Sequence, residues 1–155
     1  MKLTSLLFMA LVLSGCDSEN KYSDDKAALL KLVKLDLPFD TVRWEVFGTP
    51  EQSFPVPGPT DFYTLVVEIA PAVPRSGTPS AQAVWIAPEA ARSWLSPAYQ
   101  SLFTEYRNGR VQLSSMPGCR PLETEVATSG RRLQGFLCSN AASSVAYLML
   151  SDGSE

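Results

Sequence analysis

The side chains that could do chemistry here are carboxylates, hydroxyls and lysines, because the 155 residues include no histidine. Without imidazole there is no Ser-His-Asp triad, no Cys-His dyad and no histidine metal ligand. Glu123 and Glu125 lie two apart on a predicted strand, so both carboxylates lie on one face. A pair that cleaves glycosidic bonds needs one carboxyl in an apolar pocket with a raised pKa. Neighbouring carboxylates on a polar strand face are more typical of solvated surface, so we predict no catalytic residues.

Other catalytic patterns are weak or missing. Residues Ser23-Asp24-Asp25-Lys26 match the S-x-x-K pattern of penicillin-interacting serine enzymes, but no K-T-G triplet follows. The sequence contains no G-x-S-x-G nucleophile elbow, no G-x-x-x-x-G-K-[ST] phosphate loop and no calcium-binding loop. We therefore expect a protein that is not an enzyme and that has no metal and no organic cofactor.

The amino terminus reads MKLTSLLFMALVLSGC, and it combines a positive charge, a short apolar run and a cysteine. The apolar run 6–13 has eight residues, too few to cross a bilayer core about 30 Å thick. It ends in Leu13-Ser14-Gly15-Cys16, which resembles the lipobox of bacterial lipoproteins. The resemblance implies cleavage before Cys16, a diacylglycerol on its sulfur and a fatty acyl chain, such as palmitate, on its amino group. An ordinary secretory signal with an incidental cysteine is the alternative.

The same resemblance implies an organisation and a location. Residues 1–15 would be the signal peptide, 16–23 a lipidated tether and 24–155 a single periplasmic domain. Asp17 follows the cysteine, and in enteric lipoproteins an aspartate there retains the protein in the inner membrane. We expect a cell-membrane protein, anchored by lipid on the periplasmic side, with a preference for the inner membrane.

Two cysteines remain for the domain, Cys119 and Cys138. An even pair in an oxidising compartment predicts a structural disulfide, and the spacing is far from the redox motif C-x-x-C. In the chain-entropy model, closing the loop between Cys119 and Cys138 contributes about 3 kcal/mol to stability. Two free thiols are the alternative.

The composition is that of one globular domain with no affinity for nucleic acid. Apolar residues make up 45% and charged residues 19%, and the net charge is −3. A mildly acidic chain is soluble and has no basic surface for phosphates. The partners we expect are the membrane, through the lipid, and a periplasmic or envelope protein.

The hydrophobic pattern predicts an α+β fold, a single small domain with a mostly antiparallel sheet, an N-terminal helix and a central kinked helix. We expect the first helix over 24–37, capped by Ser23, and the second over 88–106, broken at Ser96-Pro97. The predicted strands are 41–47, 61–70, 81–87, 110–116, 122–128, 131–139 and 145–151. The second should have one buried face and pair with the third as a long-looped hairpin, and the last should be central.

Two proline-containing loops, 49–60 and 71–79, have the stiffness that suits partner recognition, because stiff loops lose less entropy on binding. Arginine and aromatic residues are common at interface hot spots. The candidate partner-binding residues are Phe54, Arg75, Arg131 and Arg132. Three tryptophans, Trp44, Trp85 and Trp94, are of the same type, although tryptophans in strands and helices are usually core residues.

We expect a lipid-anchored periplasmic binding protein without catalysis. A sharper hypothesis is an inhibitor or immunity protein directed against an envelope-acting enzyme or toxin, by analogy with other small anchored domains. The alternative is an accessory or assembly lipoprotein of an envelope secretion or transport complex. A carboxylate enzyme using Glu123 and Glu125 is a third and weaker hypothesis.

Overall fold

The computed structural model describes residues 21–49, 62–74 and 80–150, which form a single small α+β domain. The elements are α1 (Lys26–Leu32), β1 (Thr41–Thr49), β2 (Phe62–Ala70), β3 (Ala83–Ile86), α2 (Pro97–Tyr106), β4 (Gly109–Gln112), β5 (Cys119–Glu125), β6 (Arg132–Ser139) and β7 (Ser144–Met149). Five strands form an antiparallel sheet in the order β1-β2-β7-β6-β5, and β3 and β4 form a separate two-stranded ribbon. The mostly antiparallel α+β architecture is as predicted.

Strand β7 lies at the centre of the sheet, as its apolar sequence predicts. The predicted pairing of strands 61–70 and 81–87 is wrong, because β2 pairs with β1 and β7 while β3 pairs with β4. Both edges of β2 are used by strands with matching apolar faces, so none is left for β3. The β3–β4 ribbon instead packs across one face of the sheet.

The sheet is the middle of three layers, with an apolar core on each face. One core lies under α1 and is centred on Leu29, Leu65 and Leu148. The other lies under α2 and the ribbon and is centred on Phe103, Phe136 and Tyr147. The prediction of one buried face for β2 is therefore wrong, because Thr64–Ile69 is buried on both faces and only Tyr63 is exposed.

Helix α1 is shorter than the predicted 24–37. Its N-cap is Asp25, whose carboxylate accepts a hydrogen bond from the Ala28 amide at 2.9 Å, rather than the predicted Ser23. The helix ends at Leu32 because Val33 takes extended dihedrals and pairs with Val126. Pairing with the sheet edge replaces the helical hydrogen bonds that a longer helix would make.

The predicted helix 88–106 is divided by residues 91–96, which are not helical. Pro88–Ala90 forms a 3₁₀ helix, and α2 begins afresh with Pro97 in its first turn. Asn108, with a φ of 60°, follows the helix and turns the chain into β4. Strand β4 ends at Gln112, earlier than predicted, because Leu113–Ser115 forms another 3₁₀ turn.

The predicted disulfide between Cys119 and Cys138 is confirmed. The two residues are directly opposite in the register of β5 and β6, with their Cα atoms 3.9 Å apart. The bridge therefore fastens the edge strand β5 to its neighbour. Among the described residues, no helix is long and apolar enough to cross a membrane.

Candidate functional site: an aromatic pocket joined to an arginine groove

A pocket of about 180 Å³ opens between the β3–β4 ribbon and the sheet; we call it the aromatic pocket. Trp85 of β3 lines one side, and Phe136 of β6 and Tyr147 of β7 line the other. The Phe136 and Tyr147 rings stack, with centroids 5.0 Å apart and planes inclined by 13°. Offset aromatic pairs of this kind are stabilising and form a firm apolar wall.

The Tyr147 side chain is held in place by its neighbours in the core. It is 1% exposed, its hydroxyl accepts a hydrogen bond from the Ala87 amide at 3.0 Å, and Phe103 packs against its ring. Burial raises the pKa of this hydroxyl above its ordinary value, so it stays neutral. The wall of the pocket is therefore a packed part of the core and does not have to form when a ligand binds.

Gly135 also lines the pocket, and it lies opposite Leu148 in the register of β6 and β7. A Cβ at this position would lie 1.9 Å from the Tyr147 carbonyl oxygen, so only glycine fits without a backbone shift. The absence of a side chain lets the strands pair closely beside the aromatic wall.

Arg110 lies at the rim of the aromatic pocket, directly opposite Trp85 in the β3–β4 register. It is exposed, and it makes no hydrogen bond or ion pair with any described residue. Gln134, also exposed, stands on the sheet side of the rim. The rim thus places beside an apolar cavity a guanidinium that no described residue neutralises.

A second cavity, of about 340 Å³, adjoins the aromatic pocket; we call it the arginine groove. It is lined by Arg131, Arg132, Gln134 and Met149, of which the last two also line the aromatic pocket. Arg131 is held in place because its guanidinium donates to the Leu150 carbonyl oxygen. The two cavities are therefore neighbours, and we call them together the depression.

The predicted carboxylate pair lies near this depression but differs from a catalytic pair. Lys34 lies 2.8 Å from Glu125, and its hydrogen bond and charge hold the pKa of that carboxyl below its usual range, with a smaller effect from Arg132. Glu123 is exposed, opposite Gln134 in the strand register. A general acid needs a raised pKa, and Glu125 has the opposite.

Among the described residues, the balance of charge around the two cavities is positive. Arg110, Arg131 and Arg132 supply three cationic side chains, while Glu125 is already paired with Lys34. Glu123 is one carboxylate at this end of β5 without such a partner among the described residues. A chain of net charge −3 therefore presents a locally cationic surface here.

A second set of polar residues, buried on the same sheet face, was not anticipated from the sequence. Glu45 of β1 accepts hydrogen bonds from Arg92, which reaches it with Nε at 2.9 Å, and from the Trp94 indole at 2.6 Å. Glu68 of β2 accepts from Arg43 at 2.8 Å and from the Ser96 amide at 3.0 Å. Their oxygens are occupied by donors, so these carboxylates are structural.

The signal for this buried polar set is ambiguous in the sequence. Arg43 and Glu45 alternate with Val42, Trp44 and Val46, which is typical of a strand with a solvated face. That face is covered because residues 91–96 fold over it. The path of residues 91–96 over the sheet, and not the local sequence of β1, decides whether Arg43 and Glu45 are buried or solvated.

The other predicted site residues have mixed outcomes. Arg131 and Arg132 come together in the arginine groove, and Trp85 lines the aromatic pocket. Cys16, Phe54 and Arg75, like most of the proline-containing loops, lie outside the described residues. Arg110, Gln134 and Met149 were missed, because they come from three strands that the sequence alone does not bring together.

Within ranges 21–49, 62–74 and 80–150, no group of three or more cysteine, aspartate or glutamate residues is arranged to hold a metal ion. Comparison with family models, curated proteins and solved structures finds no match for the chain. Its function must therefore follow from its own residues.

Proposed function

We propose that this chain is a lipid-anchored periplasmic binding protein without catalytic activity, which inhibits an envelope-acting enzyme or toxin. The observation that carries the proposal is the depression formed by the neighbouring aromatic pocket and arginine groove. Rigid aromatic walls flanked by arginines are typical of the residues that dominate binding energy at protein interfaces.

The condition of the carboxylates supports a binding role over a catalytic one. Glu45 and Glu68 are occupied by arginine, indole and amide donors. Proton donation to a leaving group needs a carboxyl with a raised pKa, whereas Lys34 lowers the pKa of Glu125 and holds it ionised. Arg110 is exposed beside the aromatic pocket and makes no hydrogen bond or ion pair with any described residue, so it suits recognition of an acidic partner.

The anchored location is supported by the lipobox-like Leu13-Ser14-Gly15-Cys16 and by the disulfide, which is typical of proteins outside the cytosol. Acyl chains contribute about 0.8 kcal/mol for each buried CH₂, so two or more hold a protein on a membrane stably. An anchored inhibitor would be concentrated at the surface where an envelope enzyme acts.

The proposal is tested by site-specific photo-crosslinking in the native cells. A benzophenone side chain replaces Gln134, which is exposed and lines both cavities. The matched control carries it in place of Ala141, which is exposed in the turn at the other end of β6 and β7. We expect one envelope hydrolase or toxin to be captured from position 134 and not from 141.

The captured protein is then purified, and its activity is measured with a stoichiometric amount of this chain. Loss of that activity supports the inhibitor role. Capture of several subunits of one secretion or transport complex, with no activity inhibited, would instead establish the accessory role. Equal capture from positions 134 and 141 would show that the depression is not a binding surface.

A further inference from the structure

We infer that the aromatic pocket is a specificity pocket for a partner segment that places a phenylalanine side chain beside a carboxylate. The inference deepens the proposed function and rests on it, because it names the chemistry of the partner at the same site. It stands on the size of the pocket, the composition of its walls and the position of one arginine.

The pocket has the size and the walls for one phenyl ring. Its volume of about 180 Å³ is close to the cavity of about 150 Å³ that admits benzene in a protein core. Trp85, Val84 and Met149 supply its accessible apolar lining, and the buried, stacked rings of Phe136 and Tyr147 line its inner side. A phenyl ring packed against the Trp85 ring gains attraction beyond the area that it buries.

The rim requires a negative charge next to that ring. Arg110 and Trp85 are directly opposite on neighbouring strands, where Cβ atoms are about 5 Å apart. The Arg110 guanidinium makes no hydrogen bond or ion pair with any described residue, and its planar fork binds a carboxylate through two hydrogen bonds. A ring in the pocket therefore brings an adjacent aspartate or glutamate within reach of Arg110.

The surrounding charges favour an acidic segment over a basic one. Beyond Arg110, the segment would pass Gln134 and Met149 into the arginine groove, where Arg131 and Arg132 continue the positive surface. Glu123 alone, among the described carboxylates at this end of β5, is without a cationic partner. Further acidic residues on the segment would be attracted, and lysines would be repelled.

The test uses three peptides and the full mature chain in lipid nanodiscs. The probes are acetyl-Phe-Asp-Asp-amide, acetyl-Ala-Asp-Asp-amide and acetyl-Phe-Lys-Lys-amide. Binding of each peptide is measured from the shift of the NMR signal of the Trp85 indole N–H. That signal is assigned from its loss in Trp85→Phe. We expect the first peptide to shift it, with an affinity at least about tenfold higher than either of the others. Equal affinities, or no shift at about 10 mM peptide, would overturn the inference.

Charge reversal at the rim separates Arg110 from general electrostatics. Arg107→Glu is the matched control, because Arg107 is exposed, lies three residues away and does not line the pocket. We expect Arg110→Glu to remove the preference for the aspartate peptide over the lysine peptide, and Arg107→Glu to leave it intact. The same loss in both variants would refute the role of Arg110. Arg110→Gln, which keeps a polar side chain, should give an intermediate preference.

Failure of the inference and failure of the proposed function give different results. Specific binding of the Phe-Asp peptide with no cellular protein captured from position 134 would contradict the proposed inhibitor and leave the pocket chemistry intact. A captured and inhibited enzyme whose contacting segment lacks a phenylalanine next to an acidic residue would contradict the inference and leave the function intact.

Discussion

Two arginine–glutamate pairs share one face of the sheet, but only one of them is fully buried. The Arg92 and Glu45 side chains are each 8% exposed, whereas Arg43, the partner of Glu68, is 40% exposed. Arg92 also lies over the Phe47 ring, 5.0 Å from its centroid. Removing one partner of a buried pair leaves the other charge without water and without a counter-ion.

We therefore expect Arg92→Met to lower the free energy of unfolding by about 3–5 kcal/mol. Urea denaturation followed by circular dichroism measures the change. Arg107→Met is the control, because Arg107 is exposed, and such surface changes stay within about 0.5 kcal/mol. If both variants unfolded at the same urea concentration, the Arg92–Glu45 pair would have no special role in stability.

The Lys34–Glu125 pair predicts a local pH dependence. Lys34 lowers the pKa of Glu125 in the folded chain, so the pair stabilises the fold above the ordinary pKa of glutamate. That stabilisation is lost as the pH falls through the lowered pKa. We expect Lys34→Met to raise the pKa of Glu125 towards its ordinary value, measured from the carboxyl carbon signal by NMR.

The control for this titration is Lys31→Met, which removes the same charge from an exposed residue of α1. It should leave the Glu125 titration where it is in the unmodified chain. An equal rise in both variants would mean that the net charge of the chain, and not the contact of 2.8 Å, sets the pKa of Glu125.

At the scale of elements, the close approach of β6 and β7 depends on a missing side chain. Because a Cβ on Gly135 would meet the Tyr147 carbonyl oxygen at 1.9 Å, alanine there must push the two strands apart. We expect Gly135→Ala to cost about 1–3 kcal/mol, the usual range for overpacking. Urea denaturation measures the loss, and hydrogen exchange of the β7 amides should become faster.

Gly109→Ala is the matched control, because a Cβ there meets nothing within 4 Å. Its free energy of unfolding should be equal to that of the unmodified chain or slightly higher, since alanine restricts the unfolded chain. A Gly135→Ala variant as stable as Gly109→Ala would show that the β6–β7 spacing adjusts freely.

The sequence predicted the elements better than it predicted their partners. Apolar alternation and turn residues locate all seven described strands, although β5 begins and ends three residues before the predicted 122–128. An apolar run on both faces identifies β7 as central. The pairing of β2 with β3 was wrong because proximity in sequence was the available guide, whereas the real pairing matches buried faces. The local hydrophobic pattern determines whether a segment forms a strand, whereas the packing of the whole domain determines which strands it pairs with.

The candidate site was predictable only in part, for the same reason. Arg131 and Arg132 were found because they are adjacent in sequence and of a type common at interfaces. Arg110 and Trp85 are 25 positions apart and become neighbours because β3 and β4 pair. The sequence of neither strand predicts this pairing or its register. The aromatic pocket exists because a separate ribbon packs on the sheet, and this is a property of the whole fold.

At the scale of the molecule, Tyr22 and the aromatic pocket lie at opposite ends of the strands. Tyr22 packs on Trp94 with ring centroids 5.6 Å apart, and Arg43 of β1 lies over both rings. Arg43 is opposite Glu68 in the sheet, and Met149 is opposite Thr64. Glu68 and Thr64 are four residues apart on β2, or about 13 Å along the strand. An anchored chain would thus hold its depression away from the end that is tied to the membrane.

The anchor itself is the feature on which this geometry depends. Tyr22 follows Cys16 by six residue steps, which reach about 20 Å at full extension, so a lipid on Cys16 would hold the Tyr22 end near the membrane. We expect Cys16→Ala to abolish incorporation of labelled palmitate and to move the protein from the membrane fraction to the soluble fraction. The control replaces both Cys119 and Cys138 by alanine, which removes the disulfide and should leave the label in place.

The same cells distinguish the role of the anchor from the role of the pocket. Because the residues that line the pocket come from positions 82–149, purified Cys16→Ala protein should bind the Phe-Asp peptide as tightly as the lipidated chain. In cells, however, it should capture less partner from position 134, since a soluble inhibitor is diluted away from an envelope enzyme. Undiminished palmitate labelling in Cys16→Ala would refute the lipoprotein assignment, and undiminished capture would show that location is unimportant to binding.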